Sequence, residues 1–168
     1  MPENRQDLAR LIASMNLSDP RIAEAFLAVD RAGFVPPSLL EDDYLDRPVP
    51  IPESQTTSQP SLIALMIDAA APGPEDRVLE VGTGYGFQTA LLARLAAEVV
   101  SVERHASLAQ TARANLERNG VTNASVYVGD GWKGYEDKAP YDAIVVSAAA
   151  SEVPEALTRQ LAEGGRLV

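Results

Sequence analysis

The chain has 168 residues, of which 46% are hydrophobic and 23% charged, with a formal net charge of −10 and no cysteine. One domain is expected, long enough to bury roughly 70% of its unfolded surface. The acidic balance argues against nucleic acid and anionic membranes as partners, and the lack of cysteine excludes disulfides and thiolate metal sites.

Met1 to Arg10 are polar and lack the apolar core of a signal peptide. The longest apolar run, Leu62 to Ala71, is broken by Asp68 and is too short to span a bilayer. A soluble, cytoplasmic, monomeric protein is expected, with no metal site. Residues 1–35 read as helical. Leu8, Leu11, Ile12 and Met15 fall at helix spacing, as do Ile22, Ala25, Phe26 and Val29. Asp19 is placed to cap the second helix, with Pro20 at its first position. Residues 36–60 then form a loop-rich, proline-rich stretch, and so long a loop inside a domain is usually functional.

From residue 61 to 168 helix and strand alternate. Pro60 to Ala70 reads as a helix. A strand runs into the glycines at Gly82, Gly84 and Gly86, and a further strand covers Val99 to Glu103. Leu108, Ala112, Leu116 and Asn119 mark a helix closed by Gly120. Ser125 to Val128 reads as a strand. Tyr141 to Val146 is nearly all apolar, as in a parallel sheet buried on both faces. Pro154 to Ala162 reads as a helix. After Gly164-Gly165, Arg166-Leu167-Val168 opens a strand that stops, and a sheet cut short at its C-terminal strands is expected. The alternation predicts a single α/β domain. Its core is a Rossmann-like, doubly wound, mostly parallel sheet with an N-terminal helical extension. Ligands of such sheets bind at the carboxyl ends of the strands.

The chemistry concentrates at those ends. Glu80-Val81-Gly82-Thr83-Gly84-Tyr85-Gly86 follows an apolar strand and precedes an apolar helix. Glycine permits the sharp turn and a close backbone approach to a ligand, and the helix start offers free N–H groups. A dinucleotide fingerprint needs glycine at the sixth position, which is Phe87 here, and asks for no acid at Glu80. An oxidoreductase using a nicotinamide cofactor is therefore disfavoured. E-x-G-x-G-x-G instead resembles class I S-adenosylmethionine-dependent methyltransferases, whose ligand ends in an ammonium group that needs acceptors. Glu103 ends the next strand, 21 residues after Gly82, where an acid can hold ribose hydroxyls. His105, the only histidine, reads as a solvated residue opening a helix. Asp130, between Gly129 and Gly131, can accept from an adenine amino group, and Trp132 can cover the ring.

Ser54-Gln55-Thr56-Thr57-Ser58-Gln59 precedes a helix. Capping needs one such side chain, so the others are free to line a polar pocket. Together, Asp46-Arg47-Pro48-Val49-Pro50-Ile51 and Gln55-Thr56-Thr57-Ser58-Gln59-Pro60 resemble the protein-L-isoaspartate O-methyltransferases. The likeness continues through Asp30 to Pro36, the glycine turn, Val102-Glu103-Arg104, Gly129-Asp130-Gly131, Ala139 to Asp142, Gln160-Leu161 and Gly164 to Val168. It implies S-adenosyl-L-methionine as cofactor, S-adenosyl-L-homocysteine as product and the free α-carboxylate of L-isoaspartyl residues in damaged proteins as acceptor. It implies Ser58 as the active-site serine. Thr56, Thr57, Glu80, Gly82, Gly84, Glu103, Arg104, Asp130 and Gly131 are the expected cofactor contacts. Ser54 replaces a usual glycine and Thr57 a usual isoleucine. The alternative is a non-catalytic or repurposed S-adenosylmethionine-binding relative that modifies a dedicated peptide.

Overall fold

A computed structural model describes residues 2–168, without the side chains of 40–42. Met1, which opens the polar stretch, lies outside the described residues. Asn4 accepts the Asp7 N–H at 2.9 Å and caps α1 (Arg5–Ala13). Pro20 is the cap residue of α2 (Arg21–Ala28), one place before the position expected for it, and Asp19 accepts the Arg21 N–H. Both helices bury the faces their spacing marks, through Leu8, Ile12, Ile22 and Phe26.

Residues 36–60 are more ordered than a loop. A 3₁₀ segment covers Pro37–Asp42, and β1 (Pro50–Ile51) pairs antiparallel with β2 (Gln55–Thr56) as a small hairpin. α3 (Pro60–Ala70) opens on proline, which has no N–H to leave unpaired. Its cap comes from elsewhere: Asp46 accepts the Ser61 N–H at 2.8 Å and the Gln59 amide at 3.0 Å.

The core alternates as expected: β3 (Arg77–Val81), α4 (Phe87–Leu95), β4 (Glu98–Glu103), α5 (Ala106–Arg118), β5 (Ala124–Val128), β6 (Tyr141–Val146), α6 (Glu155–Gln160) and β7 (Leu161–Leu167). The five strands are parallel in the order β5-β4-β3-β6-β7. One face carries Val78, Val99, Ala143 and Val145 under α1 to α5. The other carries Leu79, Val100 and Ile144 under Leu157 of α6 and the segment around Trp132. This two-sided burial explains why β6 is nearly all apolar.

The largest departures from the sequence reading are at the C-terminal end, while β4, β5 and the start of α6 differ by one residue. α6 ends at Gln160 instead of Ala162, and β7 begins at Leu161, before the glycines. Leu161 pairs with Tyr141 at the start of β6, and an irregularity then shifts the register, so that Arg166 pairs with Ala143. Sheet pairing thus takes residues that helical spacing alone assigns to the helix.

The chain moves outward through β3, β4 and β5, then returns to place β6 on the other side of β3. The carboxyl ends of β3 and β6 flank the point where strand order reverses, where open sheets of this kind bind ligands.

Candidate active site

A cavity of about 480 Å³ lies there. The tips of β3 to β6 and the hairpin loop line it.

The glycine turn forms its floor. Gly82 has φ +95°, and a Cβ there would stand 3.1 Å from the Ser147 carbonyl oxygen at the end of β6. Side chains rarely adopt that backbone, and the turn leaves no room for one. Glu103, at the tip of β4, braces the turn: its Oε2 accepts the Gly84 N–H at 2.9 Å and its Oε1 the His105 N–H at 3.0 Å. The carboxylate is 5% exposed, on the cavity wall, and each oxygen keeps a lone pair for a hydroxyl. Asp130, exposed at the tip of β5, accepts the Trp132 N–H at 3.1 Å. Gly131 follows, where a Cβ would run into Val81 Cγ1. Gln160 holds this segment by accepting the Tyr135 N–H and donating to the Lys133 carbonyl. Trp132 lines the cavity, and Arg104 is the one lysine or arginine among its described lining residues.

Glu80 is placed differently from the expectation. Its side chain is fully buried beneath the turn and is not on the cavity wall. Its Oε2 accepts from the Thr89 and Ser101 hydroxyls and its Oε1 from the Gln88 amide. Burial pushes its pKa up to about 7, against the pull of those three donors, and the Glu103 charge adds to the rise. Gln88 also donates to the Ser147 hydroxyl at 2.8 Å and does line the cavity, so the acid reaches the site through this amide.

The hairpin closes the other side. At its tip Glu53 and Ser54 have φ +61° and +55°. Ser54 thus holds a left-handed backbone of the kind that favours glycine, the residue the resemblance leads one to expect there. Glu53 reaches α5, accepting from the Ser107 hydroxyl at 2.7 Å and lying 3.8 Å from His105 Nδ1. His105 is not the freely solvated residue expected, since its side chain is 21% exposed and its Nε2 is buried.

Of the polar run, Ser54, Gln55, Thr56, Thr57 and Ser58 all line the cavity, but not all are free. The Thr57 hydroxyl accepts the Val49 N–H at 3.0 Å and a longer contact from Arg31 at 3.4 Å. Its lone pairs are engaged within the loop, which fixes the oxygen and leaves only its proton and the rest of Thr57 for a ligand. The Gln59 amide is held by Asp46 and the Ser61 hydroxyl. Ser58, between them, is half-buried and has no hydrogen bond to another described residue. A hydroxyl flanked by two tied side chains, with its own donor unspent, is suited to orient an acceptor oxygen.

The cavity therefore combines a bare backbone turn, carboxylates on successive strand tips and a free serine opposite them. A model of the protein-L-isoaspartate(D-aspartate) O-methyltransferase family matches residues 3–168. The chain belongs to that family.

A curated protein-L-isoaspartate O-methyltransferase of Methanoregula boonei is 50% identical over 166 residues, covering 99% of this chain and 76% of its own. A solved protein-L-isoaspartate O-methyltransferase superposes with TM-score 0.86 at 36% identity, over 97% of this chain and 54% of that one, so this methyltransferase chain spans about half its length. A Plasmodium falciparum structure described as a putative protein-L-isoaspartate O-methyltransferase, in complex with S-adenosyl-L-homocysteine, superposes with TM-score 0.84 at 26% identity, over 99% and 83% of the two chains.

Several residues of this site escape a reading by motif. Gln88 and Thr89 sit in the first turn of α4, which the glycine turn folds back over Glu80, and Ser101 lies inside β4, where the pairing of β3 with β4 sets it beside that acid. Ser147 belongs to no motif that would flag it. The alternation within β4 could have found Ser101, since a serine between Val100 and Val102 in a buried strand needs a partner.

Proposed function

We propose that this cavity holds S-adenosyl-L-methionine on Gly82, Gly84, Glu103, Asp130 and Gly131, with Arg104, Thr56 and Thr57 at its edge and Glu80 acting from beneath. Ser58 presents the free α-carboxylate of an L-isoaspartyl residue to it. The enzyme methylates that carboxylate in damaged proteins or peptides. The observation that carries this reading is the single cavity shared by the glycine turn and the free Ser58 hydroxyl.

The residues fit the cofactor. Glu103 and Asp130 outnumber Arg104 on the wall, which suits a ligand bearing an ammonium and a sulfonium. Gly82, whose missing Cβ lets the turn close against the Ser147 carbonyl, sits on the cavity wall within reach of that ligand. The bound cofactor supplies a methyl group on sulfur, already activated for transfer. The acceptor carboxyl group, with a pKa near ~4, is ionised at neutral pH, so no general base is required of the chain. The chain's task is orientation and exclusion of water, which can lower a barrier by roughly 7–11 kcal/mol. The hairpin pinned through Glu53 covers the site. Ser58 donates its hydroxyl proton to one carboxylate oxygen and leaves the other to react. Recognition is local, because a net charge of −10 does not steer an anionic substrate.

Steady-state methylation of an isoaspartyl peptide tests the assignment. Ser58→Ala should lower kcat/KM by roughly ten- to a hundredfold, the usual worth of a hydrogen bond to a charged group. Its affinity for S-adenosylhomocysteine, measured by calorimetry, should not change. Unchanged kcat/KM would remove Ser58 from the reaction.

A further inference from the structure

We propose that Arg31 is the positioning residue that sets the Ser58 hydroxyl at its working distance from the cofactor turn. The proposal rests on the functional reading above and adds a residue to it.

Arg31 is 1% exposed and satisfies four of its five donors in one small loop. Its Nη1 donates to the carbonyls of Asp43 at 2.9 Å and Leu45 at 2.8 Å. Its Nη2 donates to the carbonyl of Arg47 at 3.0 Å and reaches the Thr57 hydroxyl at 3.4 Å. The Nε is buried without a partner among the described residues. Burial holds the guanidinium at a pKa of about 10, so it is charged at neutral pH. Taking such a charge out of water is costly, and an apolar residue would fill the space more cheaply if packing were the only need.

Carbonyls 43, 45 and 47 wrap the fork, and that leaves Asp46 placed to hold Gln59 and the first turn of α3. Both neighbours of Ser58 are thus tied to the structure Arg31 organises: Thr57 directly, and Gln59 through Asp46. On its other side the guanidinium carbon stands 5.8 Å above the Phe87 ring. Phe87 is the first residue of α4, the helix that leaves the glycine turn, and it lines the cavity. One side chain therefore touches both halves of the site. Its planar fork fixes several oxygens at once, a geometry that a lysine ammonium cannot reproduce.

The test uses Arg31→Lys, Thr57→Val and Thr57→Ser. Each is assayed for isoaspartyl-peptide kcat and KM, for S-adenosylhomocysteine affinity and for melting temperature. Arg31→Lys and Thr57→Val should lose about tenfold or more in kcat/KM, as small misplacements do, while S-adenosylhomocysteine affinity stays within about twofold in Arg31→Lys, whose side chain is not on the cavity wall. Thr57→Ser, which keeps the hydroxyl, should retain most of the activity. Thr57→Val remains informative if Arg31→Lys folds poorly. Wild-type kinetics in both variants would overturn the proposal. So would parallel losses of peptide turnover and cofactor affinity in Arg31→Lys, or a Thr57→Ser as impaired as Thr57→Val, because a purely structural role gives those results. If the wild-type chain forms no methyl ester, the functional reading fails first and the proposal goes with it.

Discussion

Glu103→Ala should weaken binding of S-adenosylhomocysteine by roughly ten- to a hundredfold, since the bonds proposed for its carboxylate would be charge-assisted. The carboxylate lies on the cavity wall at the tip of β4 and already braces the Gly84 and His105 N–H groups. Alanine removes the acceptors for the ligand and also the brace that holds the turn under it. Both effects act on the cofactor half of the site. Calorimetric titration gives the affinity, and thermal unfolding followed by circular dichroism confirms that the variant is folded. An affinity within about twofold of wild type, in a folded variant, would mean that the ligand's hydroxyls are held elsewhere.

The second large effect is on stability. Glu80 is fully buried, and its pKa in the native state is pushed up to about 7 from 4.5. Between these values the native protein holds a proton that the unfolded chain has released. The contribution of Glu80 to stability must therefore fall as pH rises from about 4.5 to about 7, and change no further above that. The shift corresponds to about 3 kcal/mol. Glu80→Gln removes the titration. Its amide oxygen can still accept from Thr89 and Ser101, and its NH₂ can donate to Gln88 once that amide turns over. The stability of Glu80→Gln relative to wild type should accordingly rise across this window, by ~3 kcal/mol in total. Asp19 and Glu98, whose pKa values are lowered by Arg21 and Arg77, act at more acidic pH and cancel in the comparison. Urea unfolding of both proteins at pH 5, 6, 7 and 8 measures it. A difference that does not vary with pH would show that Glu80 keeps an ordinary pKa.

Local signals carried most of the fold into view. Pro60 to Ala70 and Tyr141 to Val146 form their elements with the ends expected, because proline at a helix start and an apolar run between polar flanks are written in adjacent residues. Leu161 was not legible in the same way. Helical spacing includes it, yet its partner is Tyr141, twenty positions away, and only the assembled sheet makes that pairing. The site divides along the same line. Gly82, Glu103 and Asp130 stand at strand tips, and strand tips can be read from pattern. Glu80 stands one residue before such a tip, and its burial depends on Thr89, Ser101 and Gln88 closing over it. In the polar loop, residue type shows that hydroxyls are present but not which is free. Thr57 and Ser58 are neighbours, and the difference between them is made by Val49 and Arg31.

The most direct measurement gives this chain S-adenosylmethionine labelled in the methyl group and two peptides that differ only in containing L-aspartate or L-isoaspartate. The account predicts base-labile label on the isoaspartyl peptide alone, as a methyl ester forms on its free α-carboxylate. Label on both peptides, or on neither while S-adenosylhomocysteine still binds, would contradict it.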